Sequence, residues 1–337
     1  MKYNRPSAIT IKFVSRSFKT FLFGAFIFSA AEFYTQIYNA DIQLVYKDTE
    51  DNRAILNHCK EIRNGTFKPT FYLPTATLQI IYGAKFDPVP FVPFDRELVK
   101  LPDEGEIALD WGPTHKFYTG CNEKKMRILV ISHGLTGGSE TNYVRHAVLN
   151  ASRYGFRPVV YHNRGINSEL KTMKYHNHGE IDDIKYVLEH IQKNNPEAAI
   201  YGMGISMGAN TISKYVGETE NNCVLKGLVS ISNPYNLYES SKNIAKWSKI
   251  VYNYSMTQGF IKNLKNNIEA LQLNQQIDIQ SALKCKTTKE FDEFVTRRLF
   301  GYPNVDEYYK SIGCLPKISN IKIPGLFIHS LDDPICE

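Results

Sequence analysis

The sequence lacks the signatures of several common enzyme classes. Its 337 residues contain no P-loop, no H-E-x-x-H zinc motif and no dinucleotide-binding fingerprint. The six cysteines form no C-x-x-C pair and no dense framework, so they indicate free thiols rather than a zinc site or a disulfide scaffold. The His176-x-His178 pair has no clustered metal ligands around it in sequence, and we expect it to lie in a solvated loop.

Acidic residues are absent from the N-terminus, and this explains most of the net charge. The chain carries +6, but residues 2–19 contribute five lysines and arginines before the first acidic residue, Glu32. The rest is close to neutral. The asymmetry argues against a nucleic-acid partner and favours a basic flank of a membrane segment.

No apolar run in this N-terminal region is long enough to be read directly as a membrane span. Residues 21–31 are strongly apolar, but these 11 residues fall short of the roughly 20 that a spanning helix needs. We predict that residues 1–40 form a basic N-terminus with a single-pass anchor in the endomembrane system. A cleaved signal peptide of a secreted esterase and an interfacial helix are the alternatives.

The remaining chain has the pattern of a mostly parallel, doubly wound α/β sheet. Residues 41–124 are of mixed polarity, with a proline-rich run at 86–94, and predict an irregular, partly β lead-in. Residues 125–337 form the predicted core, in which short apolar runs typical of buried parallel strands alternate with helical stretches such as 180–193. The strand runs are 128–131, 159–161, 199–201, 228–231 and 326–328.

Residues 235–320 interrupt this alternation with long helical and polar stretches. An insertion of this size between the fourth and fifth of these strands is expected over the carboxyl ends of the sheet, where such folds bind their ligands. We predict a helical cap.

A G-x-S-x-G motif occupies residues 204–208, directly after a predicted strand and before an apolar-periodic helix. This is the setting of a nucleophile elbow, in which glycines permit the sharp turn that exposes the serine hydroxyl. Ser206 is therefore the candidate nucleophile, and a glycine-rich structural turn is the alternative.

A His-Gly loop follows the first buried strand, at residues 133–138. Such a loop can direct a backbone N–H at a developing oxyanion, and we predict Leu135 N–H and Met207 N–H as the two donors. His133 itself is expected to shape the turn rather than to act as the base. Asp332-Asp333 follows the last predicted strand, where a carboxylate can orient a catalytic histidine; a solvated turn is the alternative.

Several longer motifs resemble those of α/β-hydrolase family 4, which contains membrane-anchored ABHD lipid hydrolases, plant embryogenesis-associated hydrolases and yeast medium-chain ester synthases/esterases. Besides the elbow, they are His133-Gly134-Leu135-Thr136-Gly137-Gly138-Ser139, Asn163-Arg164-Gly165, Ser232-Asn233-Pro234 and, upstream, Ala108-Leu109-Asp110-Trp111.

The resemblance covers roughly residues 70–335. It implies an α/β-hydrolase fold, a lipid or acyl-ester substrate with a medium or long acyl chain, an N-terminal anchor and no metal or organic cofactor. It also implies Ser206 as nucleophile and an aspartate of the Asp332-Asp333 pair as the orienting acid, of which we choose Asp333. It does not decide between hydrolysis and transfer of the acyl group to an alcohol, and nothing in the sequence predicts the oligomeric state.

The sequence departs from this family at its end. The family's catalytic histidine lies beyond the aspartate, after one more strand, whereas this chain ends at Glu337 and its last histidine is His329. We therefore expect the C-terminal strand and helix to be missing and assign no catalytic histidine in this chain. A truncated enzyme is the simpler interpretation, and a non-catalytic lipid-binding or interaction protein is the alternative.

Overall fold

The computed structural model describes residues 42–67, 69–70, 72–89, 91–113 and 126–336. The chain divides into two units, residues 1–82 and 83–337. The predicted anchor at residues 1–40 lies outside the described residues. Across the ranges that are described, no helix combines the length and the apolar character needed to cross a membrane.

Helices begin the described chain, where the sequence predicts an irregular lead-in. Thr49 caps the first of them, because its hydroxyl accepts the N–H of Asn52 at 3.2 Å, and Glu50 and Asp51 lie favourably in the first turn. These helix-start signals act over only a few residues. The prolines that suggested an irregular chain lie outside the three helices. The third helix ends just before the proline-rich run, as expected. The helices are α1 (Glu50–His58), α2 (Lys60–Asn64) and α3 (Ala76–Lys85).

A seven-stranded, mostly parallel sheet forms the centre of the second unit, and the five predicted strands all belong to it. The sequence did not separately predict the first two strands, which pair as an antiparallel hairpin before the parallel part begins. In chain order the strands are β1 (Asp95–Lys100), β2 (Glu106–Trp111), β3 (Arg127–Ser132), β4 (Arg157–Tyr161), β5 (Ala199–Ile205), β6 (Leu228–Ile231) and β7 (Gly325–Ile328).

The strand order is β1-β2-β4-β3-β5-β6-β7, and β2 pairs with β4 in the antiparallel sense while the later neighbours are parallel. Strands β3 and β5 are adjacent, with Ser132 opposite Gly204. The loop that follows β3 and the turn that follows β5 therefore start side by side at the carboxyl edge, where open α/β sheets bind ligands.

Helices cover both faces of the sheet, as the doubly wound pattern predicts. Apolar residues of α5 and α6 pack against one face in a cluster with Ile128, Val130 and Ile200. Residues of α4 pack with Leu129, Ile131 and Val160 on the other. Burial of these apolar surfaces is the main favourable contribution to folding. The bounds are α4 (Asn142–Arg153), α5 (Asp182–Asn194) and α6 (Met207–Thr219).

The insertion between β6 and β7 is helical, as predicted for the cap. Its apolar residues form most of two clusters, which also contain Leu170, Tyr175 and Met207 from the rest of the second unit, and Leu135 of the loop after β3 packs against both. The insertion is thus anchored beside the carboxyl edge of the sheet. Its helices are α7 (Leu237–Ile244), α8 (Ile250–Asn266), α9 (Ile268–Leu271), α10 (Ile279–Ala282), α11 (Thr288–Phe294), α12 (Thr296–Leu299) and α13 (Val305–Ile312).

Candidate active site

Ser206 occupies the one-residue turn between β5 and α6. Its backbone has φ +55° and ψ −122°, a conformation that is uncommon for a residue with a side chain and that concentrates strain at the turn. Its N–H donates to Ile231 O at 2.9 Å, so the neighbouring strand holds the strained residue. The strand–turn–helix setting predicted for the motif is therefore present.

Close backbone packing explains both glycines of the motif. A Cβ on Gly208 would lie 2.2 Å from Ser132 O, and one on Gly204 would lie 2.4 Å from Ala209 Cα. Neither glycine has a positive φ, so the requirement is for space rather than for an unusual backbone angle. The start of α6 can approach the end of β3 this closely only without a Cβ on Gly208, and it can approach β5 only without one on Gly204.

The loop after β3 contains the first predicted oxyanion donor. Gly134 N–H donates to the Tyr143 hydroxyl at 2.9 Å, which fixes the loop just before Leu135. No turn or side-chain hydrogen bond uses the N–H of Leu135 or that of Met207 in the described part of the chain. Both residues line one cavity together with Ser206. Sequence reasoning missed Tyr143, since nothing in its local pattern marks it.

His133 is buried at the base of this loop. Its Nδ1 donates to Gly134 O at 2.8 Å, and its Nε2 has no partner within the described chain. Burial, and secondarily the neighbouring His162, lower the pKa of His133 to about 3. The ring is therefore neutral at physiological pH, and its contact is with the turn, in keeping with the structural role expected for it.

Asp110, at the centre of one of the upstream motifs, links the strands to the loop. Arg96 donates to both of its carboxylate oxygens at 2.7 Å, His162 Nε2 lies 2.9 Å away, and the Ser139 hydroxyl donates at 2.5 Å. Burial alone would raise the pKa of Asp110, but the hydrogen bonds from Arg96, His162 and Ser139 hold it well below its usual range. Asp110 is therefore ionised, and both of its oxygens accept hydrogen bonds. Through Ser139 it fixes the end of the His-Gly loop that lies away from β3.

The Asp332-Asp333 pair lies in the turn after β7, close to the serine. Asp333 Oδ1 accepts the N–H groups of Ile335 and Cys336, at 2.9 and 3.0 Å. Cys336 Sγ in turn lies 4.0 Å from Ser206 Oγ. Asp332 instead contacts the Ser330 hydroxyl and is exposed. Of the two aspartates, Asp333 is therefore the one connected to the serine, through Cys336.

No histidine in the described part of the chain makes a hydrogen bond to Ser206 Oγ or to Asp333. His329 is exposed just after β7, and its ring centroid lies 6.3 Å from that of Tyr235. The structure thus brings together Ser206, Asp333 and the two N–H groups, but no imidazole of the residues that it describes lies between the serine and the aspartate.

The expectation of a solvated loop for His176-x-His178 is wrong. Both side chains are 8% exposed and line the cavity with Ser206. The segment is pinned to α6, because Asn210 Nδ2 and Thr211 Oγ1 both donate to His178 O. Burial lowers the pKa of His176 to about 4 and that of His178 well below its usual range, so both are neutral.

The cavity is open to solvent on one side, and the empty space in and above it, with that open part included, is about 800 Å³. Ser206 and Met207 lie on its sheet side, and helices of the insertion form the opposite side with apolar residues such as Phe260, Phe291 and Ile312. A mostly apolar cavity beside a half-buried serine is suited to an acyl chain or another apolar group. Within the described ranges, no group of three His, Cys, Asp or Glu side chains could hold a metal ion.

Comparison with known proteins gives consistent matches. The family model described as "Serine aminopeptidase, S33" matches residues 123–337. An embryogenesis-associated protein of Picea glauca is 29% identical over 77% of this chain and 58% of its own length. Phospholipase ABHD3 of Bos taurus is 28% identical over 86% of this chain and 71% of its own length, and a monoacylglycerol lipase of Saccharomyces cerevisiae is 29% identical over 77% and 67%. The chain thus spans just over half of the first relative and about two thirds or more of the others.

Proposed function

Because this chain belongs to the α/β-hydrolase family described as "Serine aminopeptidase, S33", as its motifs predict, we propose that it is a serine hydrolase of carboxylic esters. The substrates are esters of medium- or long-chain acyl groups, or phospholipids, and relatives named as a phospholipase and a monoacylglycerol lipase support this class. The single observation that carries the proposal is the strained Ser206 at the floor of a mostly apolar cavity.

In this mechanism Ser206 Oγ attacks the ester carbonyl, and the negative charge that develops on the carbonyl oxygen is stabilised by the N–H groups of Leu135 and Met207. The alcohol leaves, an acyl-serine remains, and water accepts the acyl group. An alcohol in place of water would give acyl transfer through the same intermediate. Asp333 is our candidate for the carboxylate that orients the base, and the base is not assigned to a residue of this chain.

Labelling by a fluorophosphonate, which reacts covalently with activated serines, tests the nucleophile. We expect the wild-type chain to be labelled slowly, because no base is assigned in this chain, and Ser206→Ala to lose all labelling. Ser241→Ala is the matched control, because Ser241 lines the same cavity while its hydroxyl donates to Tyr238 O at 2.7 Å. Labelling that survives in folded Ser206→Ala, or that is lost equally in Ser241→Ala, would contradict the assignment of Ser206.

No imidazole of the described chain is hydrogen-bonded to Ser206, which supports a second candidate, a lipid-binding protein that retains the fold without catalysis. A serine without a base loses most of its acceleration, although oxyanion stabilisation and substrate binding together leave about 10³–10⁴-fold over water in proteases with a Ser-His-Asp triad. Added imidazole separates the candidates. Slow labelling that rises with imidazole concentration favours an enzyme, whereas a folded chain that is never labelled but still binds acyl esters favours the binding protein.

We also infer that the N-terminal segment attaches the protein to a membrane. The support is the cluster of five basic residues followed by the apolar residues 21–31. We expect a C-terminally tagged full-length chain to sediment with membranes and to resist extraction by carbonate at high pH. A variant with two arginines inserted in residues 21–31 should move to the supernatant. If both chains sediment equally with membranes, the apolar segment is not what attaches the protein to the membrane.

A further inference from the structure

The start of α8 and the turn before it expose large apolar side chains on the outside of the cap. Trp247 is 85% exposed, Ile250 55%, Val251 74% and Tyr254 51%. The turn that contains Trp247 runs directly into α8, so these four side chains follow one another at intervals of about one helical turn. Single exposed apolar residues are common on protein surfaces, but four within eight residues form a patch that indicates an apolar partner.

Helix α8 has two different faces. Its inward face is buried, since Phe260, Ile261 and Leu264 belong to one of the apolar clusters of the cap. Met256 and Phe260 also line the cavity that contains Ser206. The core and the cavity therefore account for the inward face only, and the exposed patch on the outward face needs a separate explanation.

The outward face of α8 becomes basic towards its C-terminal end. Lys262 and Lys265 lie 11 positions after Val251 and Tyr254, which is close to three full turns and places all four on the same side of the helix. Both lysines are exposed, and α8 contains no aspartate or glutamate. The outward face thus combines an apolar end with a basic end, and its charge is complementary to an anionic partner.

This combination of side chains is suited to the surface of a lipid bilayer. Tryptophan and tyrosine are enriched at the boundary between the acyl chains and water, and lysines near the surface are attracted by anionic headgroups. An amphipathic helix that carries both lies in the plane of that boundary. A second copy of the chain is less suited as the partner, because its own basic face would repel this one.

We propose that the outward face of α8 docks on an anionic lipid surface, with Trp247, Ile250 and Val251 among the acyl chains and Lys262 and Lys265 at the headgroups. The inward face of the same helix lines the cavity, so docking holds the cavity next to the lipid. This surface is separate from the N-terminal segment, and docking does not require catalysis.

Tryptophan fluorescence of the full-length chain reports on this patch. The only other tryptophan is Trp111, which is 8% exposed and whose Nε1 donates to Glu97 at 2.7 Å. Residues 1–41 contain no tryptophan, so attachment through them does not itself change the emission. We expect vesicles of phosphatidylcholine and phosphatidylserine to shift the emission to the blue, and phosphatidylcholine brominated in its acyl chains to quench it. Trp247→Phe should remove both changes.

Val251→Asp is the decisive variant, because it keeps Trp247 as the reporter. A carboxylate at the apolar end of the patch is repelled by anionic headgroups and is costly to place among acyl chains, so we expect the quenching by brominated lipid to be lost. The melting temperature should not fall, since Val251 is exposed and an acidic residue in the first turn of a helix is favourable.

The double variant Lys262→Gln with Lys265→Gln tests the charge. We expect the ratio of quenched to unquenched Trp247 emission in the mixed vesicles to fall about tenfold or more, because each lysine near an anionic surface contributes about fivefold. Lys193→Gln with Lys226→Gln is the matched control. These lysines are also exposed, but they lie just before β5 and β6, at the edge of the sheet opposite to the cap, and their loss should leave the ratio unchanged.

Three results would overturn the proposal. The first is an emission of Trp247 that no vesicle changes, even when the chain sediments with the vesicles through its N-terminal segment or is labelled at Ser206. The second is equal quenching in vesicles with and without phosphatidylserine. The third is a blue shift that needs no vesicles and grows with protein concentration, which would identify a second copy of the chain as the partner.

Discussion

Asp110→Asn is expected to lower the free energy of unfolding by about 1–3 kcal/mol, the cost of leaving buried hydrogen-bonding groups without a partner, because Arg96 is 43% exposed and can be rehydrated. Asp110 is 1% exposed and receives donors from Arg96, His162 and Ser139. An asparagine keeps the shape but replaces one acceptor by a donor, so at least one of these groups faces another donor. Urea denaturation followed by circular dichroism measures the change.

Glu104→Gln is the matched control, because it also converts a carboxylate to an amide beside the β1–β2 hairpin. Its ion pair with Lys100 has both side chains at least 70% exposed, and such pairs contribute little. We expect no measurable change in stability. If the Asp110 and Glu104 variants lose equal amounts, the buried network is not what stabilises the hairpin and the loop.

The stability conferred by Asp110 has a defined pH dependence. Its folded-state pKa is depressed, so its contribution is fully present above the unfolded pKa of about 3.9 and is lost as the pH falls towards the folded value. The difference between wild type and Asp110→Asn should therefore be constant from pH 7 to about 5 and should narrow below that. A difference that does not change down to about pH 3 would show that the carboxylate charge is not responsible.

The strands at the centre of the sheet can be predicted from the sequence because β3 and β4 are buried on both faces, whereas β7, whose apolar run also predicted a buried strand, is exposed along its length. The runs at 128–131 and 199–201 are continuous apolar segments, and the structure extends the second to Ile205, directly before the serine. The β1–β2 hairpin was not predicted as a unit. Four of the six residues of β1 are exposed, and its mixed composition has neither the continuous apolar run nor a clean alternation.

The parts of the site that the sequence did not reveal depend on contacts between distant residues. Asp110 meets Ser139 across 29 positions and His162 across 52, so its role cannot be read from a local pattern. The family motifs included Asp110 and Ser139 but did not indicate that they touch. His176 and His178 are buried because they pack beneath the insertion and against α6. The argument for a solvated loop considered only the absence of metal ligands nearby in sequence, and it could not anticipate this packing.

Gly208→Ala is expected to abolish labelling of Ser206 and to lower the free energy of unfolding by about 3 kcal/mol or more. The added Cβ would lie 2.2 Å from Ser132 O and 2.5 Å from His133 O. These are backbone atoms at the end of β3, and they cannot rotate away as the end of a flexible side chain could. The start of α6 must therefore move away from the sheet, and with it Met207 N–H and the strained turn at Ser206.

Gly83→Ala is the control for the general effect of replacing a helical glycine. A Cβ at Gly83 meets nothing within 4 Å, and alanine favours the helix α3 by about 0.5–1 kcal/mol over glycine, so this variant should be unchanged or slightly more stable. Both substitutions restrict the backbone of a helical residue to the same extent. A difference in stability between the two variants therefore reports the close approach of α6 to β3. Wild-type stability and labelling in Gly208→Ala would mean that the two elements tolerate a wider spacing, and the motif would then be a glycine-rich turn rather than a nucleophile elbow.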